Sequence, residues 1–422
     1  MLLVLLIYMG AFLLFPIATT PFILFPLAYR FKYSKVFQIL FVLGLSLVTL
    51  RYIPNVTDDA AYHYKAAYIF QVYDNVLEWF SYMMTGDIPT DYGYSNYPLF
   101  GLLLYMFSKT GTYSLVSFVV IFIVYYLYSS IILDIYKKNK ISKLLFLASF
   151  ITILVLVNIR YTTSGMRYSL AVALTMFLFY KDIENEFKFN KSIIFYIVPI
   201  LIHSSITVFA LVRIFFPLLR DANLYKKLIA VFTVPILSVV LPLLKRINIG
   251  YLSFLIDKFS EYQITSNYIE LFRISDLTYV YIGVFISILY IILYHLKLKF
   301  QDRIVRNFYT LVLYICLLTL SMIPFLTILD RFVWFVYPSI VISSVLLIAN
   351  DSNILKDKYK RNNYIPFYFL ILLCLVSGII WNKKVIDFLT FIDYNTVDIL
   401  TNNVFEYFSD LHQFSLSEVV RR

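Results

Sequence analysis

Runs of about 20 consecutive apolar residues recur along the whole chain, and a run of that length is long enough, as a helix, to cross the hydrocarbon core of a bilayer. They fall near 2–29, 36–53, 112–135, 143–160, 164–180, 227–244, 277–296, 308–329, 331–349 and 364–381. Backbone polar groups inside a bilayer must be satisfied within the segment itself, so the pattern predicts an all-α, polytopic membrane protein with ten spans. Two further stretches do not fit a simple crossing. Residues 97–107 are apolar but too short, and 192–216 are interrupted by polar side chains, so both read as re-entrant or broken helices. With 61% hydrophobic and 14% charged residues over 422 positions, a soluble globular domain is excluded. No tandem repeat divides the chain, which reads as one membrane-embedded domain, 1–381, and a tail, 382–422.

Charge sets the orientation. The net charge of +11 is carried in short loops rather than on one face or arm, which speaks for topology and against nucleic acid. Arg30–Lys35, Tyr136–Lys143, Lys297–Arg306 and Lys356–Arg361 are rich in lysine and arginine and belong to the cytoplasm by the positive-inside rule. If all are inside, 54–111 lies outside and 97–107 cannot cross. Lys181–Lys191 and Arg213–Lys227 must both be inside as well, so 192–216 enters and leaves on one side, with His203-Ser204-Ser205 at its apex. The outer regions are then 54–111, 245–276 and the tail. Residues 60–84, with Tyr62, Tyr64, Tyr68, Phe70, Tyr73, Trp79 and Phe80 and no Pro or Gly, predict one helix lying in the interface. Met1–Gly10 lacks the basic stretch of a cleavable signal, so the first run is expected to be a span with its start outside. Cys316 and Cys374 lie inside apolar runs without metal-ligand spacing and read as packing residues. The abundance of Lys, Asn, Ile, Tyr and Phe suggests an AT-rich genome, as in many Gram-positive bacteria.

This topology puts arginines where the charge rule expects few. Arg160 and Arg167 flank a short outer turn, Arg51 ends the second span, Arg331 follows Asp330 in a tight outer turn, and Arg273 lies in the second outer region. Each has a bland alternative: Arg331 pairs with Asp330, Arg51 snorkels, and Arg273 is solvated near Glu270 and Asp276. Arg167 is harder to dismiss, because it lies about one turn inside its span with no acid nearby in sequence. Guanidinium forks match phosphate oxygens, and a helix starting near Ser164 adds its positive end at the same place. A lipid phosphate or pyrophosphate fits. His203 is either satisfied by a backbone carbonyl or, facing the arginines, acts as a general base or as a donor to a departing phosphate. Asp58 and Asp59 can deprotonate an acceptor hydroxyl, bind a metal, or cap the helix starting near Ala60. No Gly-rich phosphate loop, His-Glu-x-x-His, nucleophile elbow or Cys-x-x-Cys occurs.

Asp58-Asp-Ala-Ala-Tyr62, Arg167-Tyr-Ser-Leu-Ala171, Ile202-His-Ser-Ser-Ile206 and Asp330-Arg-Phe332, in that order over roughly 40–345, resemble the EpsG-like family of Wzy-type polysaccharide polymerases. The chain departs from the family pattern at Ser95-Asn-Tyr-Pro-Leu99, where members often carry an acid, and in a longer tail beyond about 382. The resemblance implies a GT-C-like, plasma-membrane glycosyltransferase that polymerises undecaprenyl-pyrophosphate-linked oligosaccharide units into capsular or exopolysaccharide at the outer face. Its partners would be the bilayer, a flippase and a chain-length regulator. No cofactor or metal is implied, since arginines can stabilise the leaving group. In that scheme Arg167 and Arg160 hold the donor pyrophosphate, with Arg331, Arg51 or Arg273 on its second phosphate. His203 or Asp58 activates the acceptor, and Tyr62 and Tyr168, beside Asp59, meet the sugar rings. A GT-C transferase using a polyprenyl-phosphate sugar with Asp58 or Asp59 as base, a flippase for lipid-linked oligosaccharide, and a ligase-like transferase remain as alternatives.

Overall fold

The computed structural model describes residues 2–30, 32–52, 54, 58–85, 93–139, 141–188, 191–223, 226–227, 274–297, 302–322, 326–352, 365–386 and 396–409. The expected span 227–244, nearly all of the region 245–276 with Arg273, and the loop 356–361 lie outside the described residues, as does the side chain of Arg51. Among the described residues the secondary structure is helical, with no strand.

The first apolar run folds as α1 (Leu2–Leu14), α2 (Pro16–Thr19), a 3-10 turn (Thr20–Ile23) and α3 (Leu24–Ala28). The single span expected over 2–29 is therefore corrected to a bent segment. Pro16, Pro21 and Pro26 each lack the N–H that a continuous helix needs. The chain turns at Phe15, so that Tyr8 Oη donates to Phe22 O at 3.3 Å and Thr19 Oγ1 to Ala11 O at 3.1 Å. Each half is on the order of 20 Å long, short of the ~30 Å hydrocarbon core.

After α4 (Ser34–Leu47) and a 3-10 turn (Val48–Arg51), the expected interfacial helix 60–84 divides into α5 (Asp59–Phe70) and α6 (Val76–Thr85). Asn75 makes the second start, its side-chain oxygen accepting from Glu78 N at 2.8 Å. The short apolar stretch is α7 (Pro98–Ser108), 11 residues packed on α5. Next come α8 (Ser114–Lys138), α9 (Lys143–Leu156), α10 (Ile159–Ser164) and α11 (Met166–Glu184). The broken segment is a 3-10 turn (Lys191–Tyr196), α12 (Ile197–Ile202), a second 3-10 turn (Ser204–Ile206) and α13 (Thr207–Leu219). The remainder is α14 (Ile274–Lys297), α15 (Arg303–Ser321), α16 (Leu326–Ser352), α17 (Ile365–Ile386), α18 (Thr396–Thr401) and α19 (Val404–Ser409). Among the described residues four helices are long and apolar enough to cross a membrane: Ser114–Lys138, Arg303–Ser321, Ile328–Ala349 and Ile365–Asn382. The protein is thus a helical membrane protein. Where α14 meets α16 and α17, Gly283 lets the helices close in; a Cβ there would stand 2.9 Å from the Tyr337 hydroxyl and collide with Ser377 Oγ.

Ion pairs and caps tie five basic loops to one end of the bundle. Arg30 Nη2 donates to Tyr136 O at 2.6 Å, Lys138 pairs with Glu184, Arg303 with Glu186 at 3.3 Å, and Arg306 with Asp221 at 3.0 Å. These five of the loops that the charge rule groups together are therefore neighbours, while Lys356–Arg361 lies outside the described residues. The 192–216 segment returns to this end, because one carboxylate meets both of its legs. Asp182 accepts from Ser192 Oγ at 2.9 Å and Tyr196 Oη at 2.8 Å on the way in, and from Arg213 Nε at 2.6 Å on the way out. A re-entrant hairpin with His203 at its tip is what the loop parity predicts. At the opposite end, α19 packs on the Val48–Arg51 turn and on α1, and the Phe408 ring meets Phe118 at 5.9 Å. The described part of the tail thus shares the arginine end.

Candidate functional site

The site grows from a break between α9 and α11. Asn158 turns the chain, its side-chain oxygen accepting from Arg160 N at 3.0 Å and Tyr161 N at 3.4 Å, which starts α10 and sets Arg160 in its first turn. Gly165 ends α10 one residue before α11, with its own N–H bonded to Tyr161 O at 2.7 Å. Arg167 is the second residue of α11, at the positive end of a 19-residue helix.

Arg160 reaches back to α5. Its Nη2 lies 3.5 Å from Asp58 Oδ1, and Tyr52 Oη donates to Asp58 Oδ2 at 2.7 Å. Burial and the adjacent Asp58 carboxylate push the Tyr52 phenol far up, so it stays a donor. Asp58 stands at the N-cap position of α5 but makes no side-chain cap bond. The capping alternative is thereby corrected, because the carboxylate is turned to Tyr52 and Arg160.

Arg167 is only 8% exposed and leans on ring faces, its guanidinium carbon 4.4 Å from the Tyr97 centroid and 5.8 Å from Tyr94. Tyr94 Oη is 2.7 Å from His63 Nδ1. Burial first, and the Arg167 charge second, hold His63 well below its ordinary value of 6.5, so the folded protein keeps it neutral. An unfolded chain binds a proton there below about pH 6.5, so this stability is complete above that pH and is lost as pH falls. The melting temperature of the detergent-solubilised protein is therefore expected to drop from pH 7 to pH 5. His63→Gln should shrink the drop, and an unchanged drop would remove His63 as its source.

The hairpin tip comes to the same place. The His203 ring lies 5.6 Å from the Tyr97 ring and 5.3 Å from Tyr168, while Tyr168 Oη donates to the backbone carbonyl of Arg331. Arg331 and Arg167 are both within electrostatic reach of His203. His203 is extended at φ −153 and caps the following turn, its Nδ1 facing Ser205 N at 3.3 Å and Ser205 Oγ at 2.8 Å. A backbone N–H can only donate, so Nδ1 accepts and the ring proton sits on Nε2. Neutral His203 therefore offers an N–H.

Arg167, His203, Tyr168 and Arg331 thus form one chain of contacts, with Arg160 and Asp58 beside it across α10. Asp330 and Arg331 are not in a turn: both lie inside α16, which begins at Leu326. Pro324, which cannot continue a helix from α15, explains why the break comes earlier than expected. Tyr281 of α14 hydrogen-bonds the Asp330 carboxylate. Tyr62 and Asp59 lie on the exposed face of α5. For Arg51 only the backbone, at the end of the 3-10 turn, is described. Residues not anticipated from the sequence are Tyr52, His63, Tyr94 and Tyr97. The crowding of Tyr92-Gly-Tyr94-Ser-Asn-Tyr97 ahead of a short apolar helix, and His63 one turn after Asp59, were the available signals.

A helical bundle with a hairpin whose tip, His203, packs on Tyr97 and Tyr168 beside the buried Arg167 defines a helical membrane protein with a charged interior site. The chain belongs to the EpsG family, whose profile matches residues 35–396. No curated protein and no solved structure matches it.

Proposed function

We propose that the protein polymerises oligosaccharide repeat units carried on undecaprenyl pyrophosphate, working at the outer face of the plasma membrane. The observation that carries this reading is the contact chain from Arg167 through Tyr97 and His203 to Tyr168 and the backbone of Arg331, with the charges of Arg167 and Arg331 both within electrostatic reach of the His203 N–H. Family membership supports a polysaccharide polymerase in the membrane. The convergence of the basic loops at the opposite end supports the outer placement by the positive-inside rule.

In this reading the bond between the donor sugar's anomeric carbon and the pyrophosphate oxygen breaks, and the acceptor's hydroxyl oxygen bonds to that carbon. Arg167 and Arg160 take up the charge of the leaving pyrophosphate, with Arg331 on its second phosphate. His203 gives a hydrogen bond from its Nε2–H to the leaving oxygen, which departs as the pyrophosphate anion. Asp58 takes the acceptor proton, and Tyr62 and Tyr168 meet sugar rings. Arg51 and Arg273 remain candidates for the same anion.

Membranes given purified lipid-linked repeat unit provide the test. Asp58→Asn is expected to slow polymer formation about 10²-fold, the scale of one acid–base group, and Asp59→Asn only a few-fold. If both Asn variants abolish transfer while Arg167→Ala merely weakens it, a carboxylate-dependent transferase using a polyprenyl-phosphate sugar replaces this reading. Accumulation of single units on the inner leaflet of a deletion strain would point to a flippase instead.

A further inference from the structure

The lysine-rich end of the hairpin holds a charged cluster that the reaction does not touch. Arg213 is fully buried and Asp182 nearly so, and their Nε to Oδ2 distance is 2.6 Å. Ser192 and Tyr196 donate to the same carboxylate, Arg213 Nη2 donates to Lys188 O at 2.9 Å, and its guanidinium carbon lies 5.4 Å from the Phe187 ring. Burying two charges costs more than their attraction returns unless the geometry is fully satisfied, and apolar pairs of similar size often hold a fold equally well. Here three donors from the two legs converge on one carboxylate while Arg213 Nη1 is left without a hydrogen bond among the described residues, so the cluster specifies an arrangement rather than adding stability.

The arrangement is legible from α11. This one helix carries Arg167 and Tyr168 at its start and Asp182 near its end, about 21 Å apart at 1.5 Å per residue. The hairpin is tied to it at the tip, where His203 meets Tyr168, and at the base, where both legs meet Asp182. Between the ties, Phe209 of the returning leg stacks on Phe335 of α16 at 4.1 Å, which limits lateral slip. How far His203 reaches along α11 is then set by where the legs are fixed at the base.

We infer that Asp182 and Arg213 are positioning residues for His203: they lock both legs of the re-entrant hairpin to α11, so that the tip meets Tyr168 and Arg167 in one register. The inference rests on the polymerase reading for the role of His203, while the register itself can be measured without it.

The test uses the full-length protein, with turnover measured in proteoliposomes on lipid-linked repeat unit and amide hydrogen exchange measured in detergent. In Asp182→Leu/Arg213→Met the buried volume stays filled while every oriented bond is lost. The expected result is a kcat lower by 10- to 100-fold, the scale of a misplacement of about 1 Å, with KM within about two-fold. Exchange should quicken over 200–206 and stay as in the wild type over 167–180. Unchanged kcat together with unchanged tip exchange overturns the inference, and so does loss of protection throughout the chain, which would make the pair a general stabiliser. Tyr196→Phe, which keeps the ion pair and removes one tie, should lower kcat a few-fold; no change in kcat or exchange in that variant also counts against it. If His203→Ala turns over like the wild type while the double variant still frees the tip, the clamp stands and the assignment of His203 to the reaction falls.

Discussion

Arg167→Ala is expected to reduce polymer formation by about 10² to 10³, the loss that follows removal of one preorganised charge-stabilising donor. Arg167 is 8% exposed at the start of α11, with the Tyr97 ring centroid 4.4 Å from its guanidinium carbon. A cation–π contact of that kind contributes about 2 kcal/mol when desolvated, whereas taking the charge out of water costs several kcal/mol. Truncation therefore relieves a cost at least as large as the contact it removes, and the amount of protein in the membrane should hold. This separates function from folding, which for a buried group is the usual confusion. Arg167→Lys should recover little, because an ammonium lacks the planar fork that spans two phosphate oxygens and stacks flat on an aromatic face. The measurement is the chain-length distribution of product from lipid-linked repeat unit, normalised to protein abundance. An alanine variant that keeps more than a tenth of wild-type polymer would remove Arg167 from the centre of the site.

Much of this geometry follows from short-range signals. The α9–α10–α11 break was legible because Asn158 and Gly165, each two residues before an arginine, interrupt the apolar runs, and both residue types turn a chain for local reasons. The hairpin was legible because basic loops on both sides of 192–216 impose a parity, and His203-Ser-Ser interrupts the apolar run at its middle. What could not be read was pairing across distance. Nothing local links Tyr97 to Arg167, 70 positions later, because a tyrosine near a membrane surface is equally at home in the interface or against a cation. The same holds for Asp182 and Arg213, which in sequence are one acid and one base among basic loops and become a buried pair only when the hairpin closes. The first run misled for a different reason. Its hydropathy is that of a span, but its three prolines decide the shape, and a window average does not weigh a missing N–H.

Among substitutions at His203, alanine is expected to cost 10² to 10⁴ in rate, and the ranking wild type, Gln, Asn, Ala identifies the role. Nδ1 of the ring is taken by Ser205, whose N and Oγ lie 3.3 and 2.8 Å away, so Nε2 carries the proton, on a ring within electrostatic reach of Arg331 and Arg167. Asn places its side-chain oxygen where Nδ1 stood and is a favoured cap, so it keeps the turn at Ser204–Ile206 but has no donor at the depth of Nε2. Gln does the reverse, losing the cap while its amide reaches outward with an N–H. If His203 acts by donating to the leaving phosphate, Gln retains a measurable fraction of turnover, and Asn, although better folded, falls to the level of Ala. If it acts as a base, both amides are inert, since neither can take a proton at neutral pH. The decisive comparison is Gln against Asn at equal abundance, read as initial rate on lipid-linked repeat unit. Equal, near-zero rates would shift His203 from donor to base and leave Asp58 with only its tie to Arg160 and Tyr52.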